Sequence, residues 1–206
     1  MTKRLAVFAG GRGSNAAALY DAMQAGEING TVVVVVSDNP KAKVLDRAAE
    51  WGVPTLVVEP KKFESRPAFE QALLDALAPY KVDGILLAGY MRLLGETFIT
   101  PYEHRILNIH PALLPSFPGL HAQGQAVKAG VKISGCTVHF VDTGMDSGPI
   151  IMQTAVPVYA DDTEDTLAAR ILPHEHETYK KAAALFCDDR LVIEGHTVHI
   201  KDELLT

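Results

Sequence analysis

Arg4-Leu5-Ala6-Val7-Phe8-Ala9 is one charge followed by an unbroken apolar run, and Gly10-Gly11-Arg12-Gly13-Ser14-Asn15 ends it. A short run without polar alternation reads as a strand buried on both faces, as in a parallel sheet. Beyond the glycines, Ala17, Ala18, Asp21, Ala22 and Ala25 recur at helical spacing, so a helix is expected over about Ser14–Gly26. Strand, tight turn and helix make the first half of a crossover unit. The alternation continues downstream. Apolar runs at Thr31–Ser37, Pro54–Val58, Gly84–Ala88 and Arg105–Ile109 are separated by helical stretches near Lys41–Trp51 and Arg66–Leu77. Repeated units of this kind, joined by right-handed crossovers, predict an α/β, doubly wound, mostly parallel central sheet with helices on both faces.

After Pro111 the texture changes. A long connection, Ala112 to Gly130, carries Pro115, Pro118, Gly119 and Gly124, and a short helix around Gln125–Ala129 is expected to close it. A loop of that length inside a compact domain is usually functional. Strands are expected at Ile133–Val141 and Ile150–Val158 and a helix near Thr163–Phe186. A terminal hairpin should run through Leu191–Ile193 and Thr197–Ile200. With 206 residues and no linker or repeat, one domain spanning 1–206 is the simplest organisation.

Composition excludes several function classes. The formal charge is 19 − 25 = −6, and no basic run exceeds two residues, so a clustered phosphate-binding surface for nucleic acid is not expected. No apolar run approaches the roughly 18 residues of a membrane span. Lys3-Arg4 before an apolar run imitates a secretory signal, but the break at Gly10 comes short of an h-region of about 7–15 residues. Cys136 and Cys187 lie far apart with no Cys-x-x-Cys, which suits reduced thiols and a cytoplasmic protein.

Three stretches carry chemistry. Arg105-Ile106-Leu107-Asn108-Ile109-His110-Pro111 is a strand stopped by proline, and alternation points the Asn108 amide and the His110 imidazole to one side. They sit at a carboxyl strand end, where open α/β sheets bind ligands. An amide donor beside an ionisable ring can hold negative charge developing on an attacked carbonyl. Polar residues merely finishing a strand are the plain alternative. In the first loop, glycines and free N–H groups at a helix start favour an anion, while a tight turn with Ser14 as helix cap is the structural alternative. Gly11-x-Gly13-x-x-Ala16 also fits the loose dinucleotide fingerprint, which keeps a nucleotide-binding module or a dehydrogenase open. In Asp142-Thr143-Gly144-Met145-Asp146-Ser147-Gly148-Pro149, a carboxylate beside His110 would orient the ring and favour its charged form; alone the stretch is a turn. His174-Glu175-His176-Glu177 does not suit a metal, because neighbours at i and i+2 do not share a helix face. His139 and Trp51 are expected to be packing residues.

Taken together, Gly13-Ser14-Asn15, Leu87–Leu94, Asn108-Ile109-His110-Pro111-Ala112-Leu113-Leu114-Pro115 and Asp142–Pro149 resemble the folate-dependent formyltransferases, whose fold is Rossmann-like. Gly-Ser-Asn after strand one and Pro118-Gly119-Leu120-His121 resemble their glycinamide ribonucleotide branch. The resemblance spans nearly the whole chain. It implies transfer of a formyl group from 10-formyltetrahydrofolate to the amine of glycinamide ribonucleotide in purine biosynthesis, with no metal. It further implies that Gly13, Ser14 and Asn15 hold the ribonucleotide phosphate region and that Glu175 reaches the sugar hydroxyls. Met91, Arg92, Leu93 and Leu94, with Asn108, Val141, Asp142 and Asp146, would contact the folate, and Arg66 would meet its acidic tail. Asn108, His110 and Asp146 would be the catalytic group. On this reading the part up to about residue 100 binds phosphate and about 101–206 is catalytic and folate-binding. A monomer or a homodimer fits equally. Arg12 stands where relatives often carry a small polar residue, and Ala112 replaces a common serine. Leu114-Pro115 falls at a cis position of the family. Two related activities stay in view. A methionyl-tRNA formyltransferase should add a basic C-terminal domain, and a formyltetrahydrofolate hydrolase an N-terminal regulatory extension; neither is expected in this chain.

Overall fold

The computed structural model describes residues 1–202, and these divide into two compact units, the first 1–107 and the second from Asn108 onward. The first unit is built of βα repeats: β1 (Lys3–Phe8), α1 (Ser14–Gln24), β2 (Gly30–Ser37), α2 (Val44–Glu50), β3 (Thr55–Val57), α3 (Arg66–Leu77), β4 (Gly84–Leu87) and α4 (Glu96–Ile99). Its strands lie in the order β3-β2-β1-β4, and β1 pairs in parallel with both β2 and β4. The apolar runs explain this. Leu5 through Ala9, Val34 through Val36, and Ile85 and Leu86 are all essentially inaccessible, as strands covered on both faces must be. On α1 the buried residues are Asn15, Ala16, Leu19, Ala22 and Met23, one stripe at helical spacing.

Strand β5 (Ile106–His110) leaves the first unit after Leu107 and enters the second at Asn108. The second unit continues with α5 (Ala122–Ala129), β6 (Ile133–Phe140), β7 (Ile150–Pro157), α6 (Glu164–Cys187), β8 (Leu191–Glu194) and β9 (Thr197–Ile200). Strands β6 and β7 pair antiparallel from Ile133↔Pro157 onward, β7 meets β9 in parallel, and β8–β9 is the terminal hairpin. Helix α6 covers β6 and β7. Its buried residues include Leu167, Ile171, Glu175, Tyr179 and Ala183, four apart, so one carboxylate rides on an otherwise apolar stripe.

The fold class is therefore α/β with a mixed, mostly parallel sheet and an antiparallel pair at the C-terminal end. Boundaries differ from the sequence expectation where turns compete with helix. Helix α2 starts at Val44 rather than near Lys41, because Asn39 folds back through its side chain onto Lys41 N–H at 3.0 Å. Helix α5 starts three residues earlier than expected, with His121 in the left-handed region at its N-cap. Trp51 ends α2 and stacks on Tyr20, with ring centroids 4.3 Å apart. Leu114-Pro115 is cis. Among the described residues, no helix is long and apolar enough to cross a membrane.

Candidate active site

In the second unit the end of β5 faces the Asp142–Gly148 loop. Asp146 adopts the left-handed conformation, φ 50°, and turns its carboxylate inward. Its Oδ2 lies 3.5 Å from His110 Nδ1 and accepts a hydrogen bond from Gly119 N–H at 2.8 Å. Its Oδ1 lies 3.7 Å from His139 Nε2. His110 is 5% exposed, and its Nε2 is 2.8 Å from the Phe117 carbonyl. A carbonyl can only accept, so that nitrogen carries a hydrogen. Burial of Asp146 works against its charge, but the neighbouring His139 ring, the hydrogen bond from Gly119 N–H and the neighbouring His110 ring outweigh it. The carboxyl is held below the usual carboxylate range.

Asn108 stands two residues before His110 and on the same side of β5, as alternation requires. Its Nδ2 is 3.3 Å from His139 Nε2, whose other ring nitrogen, Nδ1, is 2.8 Å from the Phe140 carbonyl. His139 was expected to be a packing residue. It is 2% exposed, yet its ring serves the polar group: with Nδ1–H donated to the Phe140 carbonyl, the lone pair on Nε2 accepts from the Asn108 amide and stands beside Asp146. The missed signal lies in strand order, since β6 runs beside β5 in the second unit and brings His139 level with Asn108. Asp142 points elsewhere. Its Oδ1 accepts from Ser147 Oγ at 2.7 Å and Gly144 N–H at 3.0 Å, so it braces the loop that carries Asp146. Val141 is half-buried at the start of that loop.

The connection after His110 is pinned from the strands. Thr137 Oγ1 donates to the Ala112 carbonyl at 2.7 Å and accepts from Leu114 N–H at 3.1 Å. Gln153 Nε2 reaches the Leu114 carbonyl at 2.9 Å and Thr137 Oγ1 at 3.0 Å. Glu175 is 8% exposed on α6; burial, with a smaller contribution from the Glu175 charge, raises the Cys136 thiol against the hydrogen bond that the thiol makes to Thr178 Oγ1. His174 is exposed and His176 half-buried, so the two rings leave the helix in different directions.

In the first unit, Gly13 is the N-cap of α1 at φ 75°, and a Cβ there would sit 2.6 Å from Val44 Cγ2. Glycine is thus required by backbone and packing whether or not a ligand binds. Ser14 is the first helical residue, not the cap, and no side chain caps the helix. The loop is braced from α2, with Val44 N–H on the Gly11 carbonyl at 3.0 Å and Arg47 Nε on the Arg12 carbonyl at 2.9 Å. Met91 and Leu93 project, 73% and 51% exposed, whereas Leu94 is buried. Arg92 is paired with Asp38, Nε to Oδ2 at 2.8 Å. Arg66 is paired with Glu70, Nε to Oε1 at 3.0 Å, and sequence reasoning did not single out that glutamate.

The profile of the formyl transferase family matches residues 3–183. The chain belongs to the formyl transferase family. Among its relatives in that family, phosphoribosylglycinamide formyltransferase of Bacillus subtilis (strain 168) is 47% identical over 177 residues, 86% of this chain and 91% of the relative. The enzyme of the same name from Escherichia coli (strain K12) is 41% identical over 98% of this chain and 95% of its own length. The crystal structure of glycinamide ribonucleotide transformylase 1 from Symbiobacterium toebii superposes with a TM-score of 0.95, at 50% identity over 98% of this chain and 95% of that one. The formyl transferase fold thus extends over both units, each side chain discussed above lying within the matched span.

Proposed function

We propose that this chain transfers the formyl group of 10-formyltetrahydrofolate to the amine of glycinamide ribonucleotide, giving formyl-glycinamide ribonucleotide and tetrahydrofolate in purine biosynthesis. The observation that carries the reading is the second-unit cluster of Asn108, His110 and Asp146, found at a carboxyl strand end in a chain of the formyl transferase family. The ribonucleotide amine attacks the formyl carbon, and charge builds on the formyl oxygen. Asn108 keeps an amide N–H beyond the one facing His139, and that group donates to the oxyanion. His110 holds Phe117 through Nε2. Its Nδ1 stands 3.5 Å from the carboxylate, too long for a strong hydrogen bond, so a proton on Nδ1 is available to the same oxygen. Asp146 stays ionised and supplies the opposite charge that a doubly protonated ring needs. A proton leaves the attacking amine and the folate nitrogen gains one as the carbon–nitrogen bond to the formyl group breaks. Asp146, acting through water, is the group placed to pass it.

The remaining roles follow the residues. The start of α1, with Gly13, Ser14 and Asn15 and no side-chain cap, takes the phosphate region of the ribonucleotide, because the N–H groups and the dipole at a helix start favour an anion. Glu175 accepts from the sugar hydroxyls. Met91 and Leu93 offer exposed apolar surface to the pterin, with Arg92, Leu94, Val141 and Asp142 completing the folate contacts, and Arg66 meets the acidic tail. An absorbance assay tests the whole reading. The purified protein is supplied with a 10-formyl folate and glycinamide ribonucleotide, and each is omitted in turn. Deformylation only when both are present supports transfer. Equal deformylation without the ribonucleotide makes the protein a hydrolase, and no reaction in any arm refutes the reading.

A further inference from the structure

Glu70 on α3 is 1% exposed and has no part in the chemistry above. A carboxylate taken out of water must be compensated, and Glu70 is compensated by three donors. Its Oε1 accepts from Gly95 N–H at 2.5 Å and from Arg66 Nε–H at 3.0 Å, and its Oε2 accepts from Phe98 N–H at 3.3 Å. Gly95 directly follows Met91–Leu94 and is the N-cap of α4, where it has no side chain to cap the helix. Glu70 supplies that cap from a different helix. The fit is close: a Cβ on Gly95 would lie 2.9 Å from Glu70 Oε1 and 3.1 Å from Arg66 Nε. One buried oxygen therefore ties together the arginine of α3 and the end of the Met91–Leu94 segment. An exposed Arg–Glu pair at i, i+4 would contribute little, but here the acid is buried and the arginine is half in water.

We propose that Glu70 is a positioning residue for folate recognition, holding the Arg66 guanidinium and the Met91–Leu94 segment to one carboxylate so that the acidic tail and the pterin are gripped in a fixed relation. The proposal rests on the formyl-transfer reading, in which Arg66 meets the tail and Met91–Leu94 the pterin. With Nε committed to Glu70, Arg66 presents its two terminal NH2 groups in a set plane, the geometry that a tail carboxylate accepts as a pair of parallel hydrogen bonds.

Glu70→Gln keeps the shape, removes the charge that holds Arg66, and puts a donor opposite Phe98 N–H, which keeps its bond to the Gly95 carbonyl at 3.1 Å. The measurements are steady-state KM and kcat with 10-formyl folates bearing one or several glutamates, and calorimetric binding of the matching tetrahydrofolates. The folate KM should rise about tenfold, the scale of one charge-assisted hydrogen bond. The wild type should favour the longer tail and the variant should not, while kcat and the ribonucleotide KM stay within about twofold, since the oxyanion donors are untouched; a wild type indifferent to tail length would overturn the proposal. In an Arg66→Ala background, Glu70→Gln should add nothing to the loss of tail preference, because the two act as one unit. A lowered melting temperature with wild-type folate KM and tail preference would make Glu70 a helix cap alone and overturn the proposal. If Glu70→Gln does not fold, Gly95→Ala crowds the same oxygen without removing charge. It must weaken tail preference too, and an unchanged preference there also overturns the proposal. Absence of formyl transfer by the wild type would defeat the formyl-transfer reading, while the calorimetric tail preference would still decide the role of Glu70.

Discussion

Replacing Asp146 by Asn changes one charge at nearly constant volume. Gly119 N–H, 2.8 Å from Oδ2, needs an acceptor, so the new amide keeps its oxygen there and turns its NH2 toward His139. His110 Nδ1 then faces a neutral carbonyl at about the old distance of 3.5 Å. Coulomb's law at that separation gives about 1 kcal/mol in water and about 5 kcal/mol at an effective dielectric constant near 20. Asp146 is largely buried, so the loss falls between these bounds, and turnover should drop by roughly 10- to 3000-fold. The ribonucleotide KM should move little, because the proposed phosphate contacts at Gly13, Ser14 and Asn15 do not involve Asp146. Initial rates with both substrates saturating measure the effect, with circular dichroism confirming the fold. A folded Asp146→Asn variant within threefold of wild-type kcat would refute the electrostatic role.

Three further expectations follow from the same geometry. Asn108→Leu removes an oxyanion donor, so kcat should fall by about 10²–10³ with both KM values nearly constant, as read by steady-state kinetics. Gly13→Ala must accept φ 75° and a Cβ 2.6 Å from Val44 Cγ2, and should cost about 1–3 kcal/mol in urea unfolding even without ligand, whereas Gly11→Ala, with nothing within 4 Å of the added atom, should not. Burial, with a smaller contribution from Lys180 and against Glu177, lowers the His176 pKa below its ordinary 6.5. The unfolded chain then binds a proton there before the folded one does. This stability is present above pH 6.5 and is lost as the pH falls from there through the folded value, so His176→Gln should flatten the decline of melting temperature between pH 7 and 5.

The fold was legible because its strands are short and uniformly apolar: Leu5–Ala9 and Val32–Val36 leave no alternative to burial, and glycine and proline mark their ends. Asn108 and His110 were legible because alternation along one strand is local information. His139 and Glu70 were not, since each gains its meaning from a neighbour far along the chain, at separations of 31 residues to Asn108 and 25 to Gly95. Gly13 was legible for a partial reason. The loop does need glycine, but the need comes from Val44 as well as from any anion. Nothing in the residue names could announce the Phe117 carbonyl or the Gly119 N–H, because every residue carries such groups.

Those two main-chain groups have a consequence for how the protein can vary. His110 leans on the oxygen of Phe117 and Asp146 on the nitrogen of Gly119, both from one short bend. No side-chain exchange can delete either group; only proline at 119 would remove the N–H that donates to Asp146. The support of the His110–Asp146 pair is therefore written as a path through space, and the chain leading into that bend is held at Ala112 and Leu114 by Thr137 and Gln153 on the strands. Drift in the bend itself should leave chemistry intact so long as Phe117 can keep its left-handed φ of 55° and Gly119 its φ of 81°. Drift in the two strand residues would loosen the chain that leads into the bend, and a survey of His110 and Asp146 alone would find nothing changed.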